Sequence, residues 1–171
     1  MAIILVAGSN PATKWFENSI NKYPYKPPFT HALIHIESGI CCDVGLTTTL
    51  KGINDIIKKS HYYLSVDIAN LLPEQIQMGS EICYKAAGGA SQKFKLYDFW
   101  GFIAFGLRRL GIKAKGSEKF PFCSDMVVDT FKLMKEPLFQ TMDGELTSPC
   151  DLYLKLKTYE PARIRQIINN V

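Results

Sequence analysis

The chain is sparing with the residues that hold metals and staple extracellular folds. Of its 171 residues only three are histidine, and the five cysteines form neither a CxxC pair nor a Cys/His cluster with zinc spacing. The cysteine count is odd, which argues against a disulfide framework and fits reduced thiols in a cytosol. No block of like charge or low-complexity tract signals disorder. With 20 basic against 16 acidic residues the net charge is only +4, and no run of Lys and Arg interleaves with aromatics, so nucleic acid is not an expected partner. The longest apolar stretches, "MAIILVAG" and "FWGFIAFGL", fall short of the roughly 20 residues a membrane span requires, so no transmembrane segment is expected. The start also lacks a signal peptide's charged lead, and the expected location is cytoplasmic. No cofactor and no metal is called for.

What is present suits one sizeable core. Hydrophobic residues make up 47% of the chain, there is no internal repeat, and no stretch reads as a linker. A single α+β domain over residues 1–171 is expected, a small antiparallel sheet packed with helices. The run "AIILVA" reads as a strand, ended by Gly8-Ser9-Asn10, with a helix after Pro11 that carries Trp15, Phe16 and Ile20. The Pro-rich "NKYPYKPP" is an extended loop delivering the chain to a strand at Phe29. "THALIHIESGICCDV", from Thr30 to Val44, is a hairpin about Ser38-Gly39, where glycine supplies a positive φ. Leu50, Ile53, Ile56 and Ile57 recur at helical spacing and predict a helix over Thr48 to Lys59, followed by a strand in "HYYLSVDI". Pro73 opens a helix to about Ala87, and "YDFWGFIAFGLRRLG" reads as a buried helix with its wet end at Arg108 and Arg109. "CSDMVVDTFKLM" predicts a helix packing Met126, Val127, Thr130, Phe131 and Met134, ended before Pro137. Ser148 and Pro149 then cap and open a short helix.

Five thiols compete for any chemical role, and four have ordinary ones. Cys41 and Cys42 are neighbours on a strand and point to opposite faces, so at least one packs in the sheet. Cys83 lies within a helix, and Cys150 lies in a late turn. Cys123 differs, because the first turn of a helix leaves backbone N–H groups unpaired and carries the positive end of the dipole, both of which favour thiolate over thiol. The same N–H groups can hold the oxyanion of a tetrahedral intermediate. A thiolate nucleophile also wants an imidazole. His61 has no carboxylate nearby in sequence, and His31 and His35 stand about 13 Å apart on one strand, too far to serve the same thiol. His31, at the strand's start beside the Pro-rich loop, borders a cleft more readily than His35 does.

The third member is expected across the hairpin, at Asp43; Glu37 would lie about 20 Å along the strand from His31. One obstacle is parity. A strict two-residue turn with Glu37 opposite Ile40 sets Asp43 opposite Ile34, on the face away from His31, and only a bulge or a longer turn repairs this.

These residues together resemble the circularly permuted NlpC-type, papain-like peptidases and amidases, the YiiX-like group. The likeness is carried by "THALIHIESGICCDV", with an acidic residue twelve positions after the histidine; by "YDFWGF"; by "FCSDMVVD"; and by "LTSPCDLY", in that order along nearly the whole chain. Asp43 stands where Glu is common, Phe122 where Tyr is common, and Cys150 lies within the last block. The resemblance implies a papain-like fold and a thiol hydrolase with Cys123 as nucleophile, His31 as base and acid, and Asp43 orienting the imidazole. It implies supporting places for Tyr97, Asp98 and Ser124, and a peptide, isopeptide or acylated amine as substrate, cell-wall peptides included. Without a signal peptide, such an enzyme would reach a cell wall by another route, such as a phage's lysis machinery or virion. Two other readings use the same residues: a cysteine-dependent acyltransferase, whose acyl-enzyme passes to an alcohol or amine, and a silent binding domain of the same fold. A nucleotide site at "ILVAGSNPAT" has too few glycines for a phosphate cradle.

Overall fold

The computed structural model describes residues 1–8, 29–44, 48–58, 60–88 and 123–167. Six strands among them form one antiparallel sheet: β1 (Ala2–Gly8), β2 (His31–Glu37), β3 (Ile40–Val44), β4 (Thr48–Gly52), β5 (Ser60–Ile68) and β6 (Ala162–Ile167). Their order across the sheet is β4-β3-β2-β1-β5-β6. The helices are α1 (Ile53–Ile57), α2 (Pro73–Gly88), α3 (Cys123–Leu133), α4 (Pro137–Gln140) and α5 (Pro149–Lys157), with a 3-10 turn at Gly144–Leu146. This is an α+β architecture. None of the described helices is long and apolar enough to cross a membrane. The helix expected after Pro11, the Pro-rich loop and the helix expected in "YDFWGFIAFGLRRLG" lie outside the described residues.

Strand alternation divides the sheet into two apolar faces. One carries Ile3, Leu5, Ala32, Ile34, Ile36, Cys42, Leu64 and Val66 and packs against Cys83 of α2, Val127, Val128 and Phe131 of α3, and Leu152 and Leu156 of α5. The other carries Ile4, Val6, Leu33, Cys41 and Tyr63, and is covered in part by Ile53, Ile56 and Ile57. Cys41 and Cys42 are therefore both buried, one in each layer. Phe131 stacks on Phe139 of α4 at 4.8 Å between ring centres, which closes the core below α3.

The segment Thr48 to Lys59 corrects the sequence expectation of one helix. Thr48–Gly52 pairs with β3 over its whole length, Asp43 with Thr49 and Cys41 with Lys51, and the helix begins only at Ile53. The threonines at 48 and 49 favour a strand, and Leu50, counted as the first position of an apolar helical stripe, is instead 38% exposed. The 53–57 part of the stripe does fold as helix, with Ile53 N–H donating to Gly39 O at 2.6 Å.

The hairpin turn has Ser38 at φ 46° and Gly39 at φ 77°, the pair of left-handed residues that a two-residue turn between twisted strands requires. Glu37 pairs with Ile40, but the next pair is His35 with Cys41, then Ile34 with Cys42. Ile36 is thus an extra residue on β2, a bulge. Past it the register places Asp43 level with Leu33, on the face shared by His31, Leu33 and His35. The parity obstacle is removed by one inserted residue, with the two-residue turn intact.

Candidate active site

His31 is the first residue of β2, and the chain before it is tied down twice. Thr30 donates from its N–H at 2.8 Å and from its hydroxyl at 3.2 Å to the carbonyl of Val6. Phe29 O accepts from the Cys150 thiol at 3.6 Å, while its ring packs on Tyr153 at 5.1 Å. Cys150 therefore belongs to the first turn of α5 and acts as a tether, where the sequence placed it in a late turn. The helix that provides this tether is held by a full capping box: Ser148 Oγ accepts from Asp151 N–H at 3.2 Å, and Asp151 Oδ2 accepts from Ser148 N–H at 2.9 Å.

Across the hairpin, His31 Nε2 meets Asp43 Oδ1 at 2.5 Å. The two are diagonal neighbours on adjacent strands, a separation that long side chains bridge. The imidazole is 27% exposed and the carboxylate 9%. On its other side His31 hydrogen-bonds the side chain of Cys123; with Nε2 committed to the carboxylate, Nδ1 is the nitrogen left for sulfur. Cys123 opens α3, as the sequence predicted, and its sulfur accepts from the backbone N–H groups of Ala32 and Ser124. Sulfur, imidazole and carboxylate are thus joined in one hydrogen-bonded chain.

The electrostatics of the three groups support one charge distribution. Burial works against charge on every member, and the partners outweigh it. Burial pulls His31 toward the neutral form, yet the Cys123 sulfur and the Asp43 carboxylate push it up to about 10. Burial likewise opposes a Cys123 thiolate, and the imidazolium together with the two backbone donors lowers the thiol below its ordinary value. Asp43 is opposed by burial and brought down to about 2 by His31 and Lys51. A thiolate facing an imidazolium, with a carboxylate behind, is the state these shifts favour.

Lys51 was not anticipated. Its Nζ donates to Asp43 Oδ2, the oxygen that His31 leaves free, and half of its side chain is exposed. A helix over Thr48 to Lys59 hides this residue; only the β3–β4 pairing, which sets Lys51 diagonal to Asp43, makes it visible. Ser124 sits beside the sulfur through its backbone, but its hydroxyl turns away and donates to Thr147 O at 2.5 Å, tying α3 to the turn before α5. Tyr97 and Asp98 lie outside the described residues.

The other titratable candidates are placed elsewhere. His35 is paired with Cys41 on β3 and Ala2 on β1; burial and the nearby chain terminus lower its pKa, and its Nε2 is buried with no hydrogen-bond partner among the described residues. Glu37 accepts from the Tyr84 hydroxyl at 3.2 Å, at the far end of β2 from His31. No group of three or more His, Cys, Asp or Glu that could hold a metal ion occurs among the described residues. Set against family models and against curated proteins, the chain matches none of either.

Proposed function

We propose that the chain is a cysteine hydrolase of papain-like type, with the histidine strand before the cysteine helix in the sequence. The observation that carries this reading is the single hydrogen-bonded chain from Cys123 through His31 to Asp43, with two backbone N–H groups on the sulfur. Geometry rather than order along the chain defines such a site. The Cys123 thiolate attacks an amide or ester carbonyl, and the C–S bond forms as the carbonyl π pair moves to oxygen. The oxyanion is held by N–H groups at the start of α3, that of Cys123 among them. His31 gives its proton to the leaving amine or alcohol as the scissile bond breaks, then takes one from water, whose oxygen attacks the acyl-enzyme and releases the acid. Asp43 keeps the ring oriented through both steps.

The family resemblance points to a peptide, an isopeptide or an acylated amine as substrate. A panel of such compounds and simple esters tests the reading. Release of free acid is expected from the wild-type protein, with no turnover by Cys123→Ala and a fall of about 10²–10⁴-fold for His31→Ala. Turnover that survives Cys123→Ala contradicts the proposal. An added alcohol or amine separates hydrolysis from acyl transfer: a hydrolase continues to yield the acid, whereas a transferase diverts the acyl group to the acceptor.

A further inference from the structure

Asp43 holds two cations at once. Oδ1 meets the imidazole from β2 at 2.5 Å, and Oδ2 accepts from the ammonium of Lys51 on β4. The charged or titratable groups that interact with this carboxylate are His31 from β2 and Lys51 from β4, with Cys41 beside it on the same face of β3, Cys42 on the opposite face of that strand, and Cys123 of α3 beyond the imidazole. The two thiols on β3 are buried, and Cys41 is pushed up to about 12 by burial and by Asp43 itself, so it stays neutral. Lys51 is then the one counter-charge to Asp43 among these groups that takes no part in the thiol–imidazole pair. Its backbone is fixed by pairing with Cys41, and its chain reaches the carboxylate along the diagonal while half of it remains in solvent.

We infer that Lys51 is a positioning residue of the site, and that it divides the Asp43 charge between two cations. This rests on the hydrolase reading of Cys123, His31 and Asp43. A buried carboxylate with His31 as its sole partner would hold the imidazolium too firmly for it to release a proton to a leaving group. Sharing that charge leaves the imidazolium a stronger acid, and fixing Oδ2 leaves Oδ1 aimed at Nε2. A lysine is suited to this, since its ammonium is a compact point charge on a long stem that can stay partly hydrated.

The test needs no substrate. The carboxyl carbon of Asp43 and the ring nitrogens of His31 are titrated by NMR in the wild-type protein, Lys51→Met and Lys51→Arg, with Lys51→Gln as a second neutral variant; position 51 is half exposed, so all should fold. In Lys51→Met and Lys51→Gln the Asp43 midpoint is expected to rise by about one pH unit, the effect of losing an adjacent opposite charge, with the His31 midpoint rising too. Lys51→Arg should titrate as wild type. Unmoved midpoints, a fall at His31, or an arginine variant as displaced as the methionine one would overturn the assignment. The hydrolase reading fails separately: if the midpoints move as stated but Cys123 alkylates like a free thiol, Lys51 tunes a pair that is not a nucleophile site.

Discussion

At the scale of single residues, the site depends on two partners that oppose burial. Asp43→Asn removes the negative charge behind the ring while keeping its size, so the His31 midpoint should fall from about 10 toward the ordinary value of 6.5; an unchanged NMR titration of the ring would show that the carboxylate contributes nothing. The remaining thiols supply a contrast. The hydrogen-bonded neighbour Cys42, together with burial, raises Cys83 far above the ordinary value, and burial pushes Cys41 up to about 12. Under brief native treatment with iodoacetamide, peptides carrying Cys41 and Cys83 should remain unmodified while Cys123 reacts. The residue types Cys, His and Asp were readable from the sequence because their chemistry is specific to few side chains. Lys51 was not, because a lysine on an expected helix is an ordinary solvated charge.

At the scale of elements, the decisive feature is the bulge at Ile36. On β2 alone the pattern gives no sign of it, since Ala32, Ile34 and Ile36 are all buried at strict two-residue spacing. A bulge is a relation between two strands, and it shows only in which residue of β3 stands opposite. This is why the hairpin, its turn and the helix start at Cys123 could be read in advance whereas the face of Asp43 could not. The turn that follows the bulge needs Gly39 at φ 77°, and Gly39→Ala should destabilise the protein by about 1–2 kcal/mol. The cap at Ser148 was likewise legible, being a local pattern, though the return bond from Asp151 was not. Its loss in Ser148→Ala should cost about 1 kcal/mol, and because α5 tethers Phe29 just before His31, the change should also slow alkylation of Cys123. For both variants the urea midpoint should drop with an unchanged slope; an unaltered midpoint would show that the turn or the cap carries no strain or support.

At the scale of the whole molecule, the charged site couples stability to pH at both ends. Asp43 has a folded value of about 2 against an ordinary value of 3.8, so its contribution is present above 3.8 and is lost as pH falls toward 2. His31 runs the other way: raised from 6.5 to about 10, it contributes fully below 6.5 and progressively less until pH passes about 10. The stability difference between wild type and His31→Gln, from urea unfolding across pH, should therefore be flat between about 3.8 and 6.5, shrink toward zero by about 10, and shrink again below 3.8 as Asp43 is protonated; a difference that grows as pH rises above 6.5 would mean a neutral ring. The α+β class and most strands followed from periodicity, while the order β4-β3-β2-β1-β5-β6 is set by long-range pairing that no local pattern encodes. The state of Cys123, a thiolate held by His31, is read from alkylation of the intact protein by iodoacetamide across pH, with the modified residue located by mass spectrometry. Cys123 is expected to react faster than a simple thiol near neutral pH, and His31→Ala to return it to simple-thiol behaviour. A rate no greater than that of a simple thiol, or one that His31→Ala leaves unchanged, would contradict a thiolate held by His31.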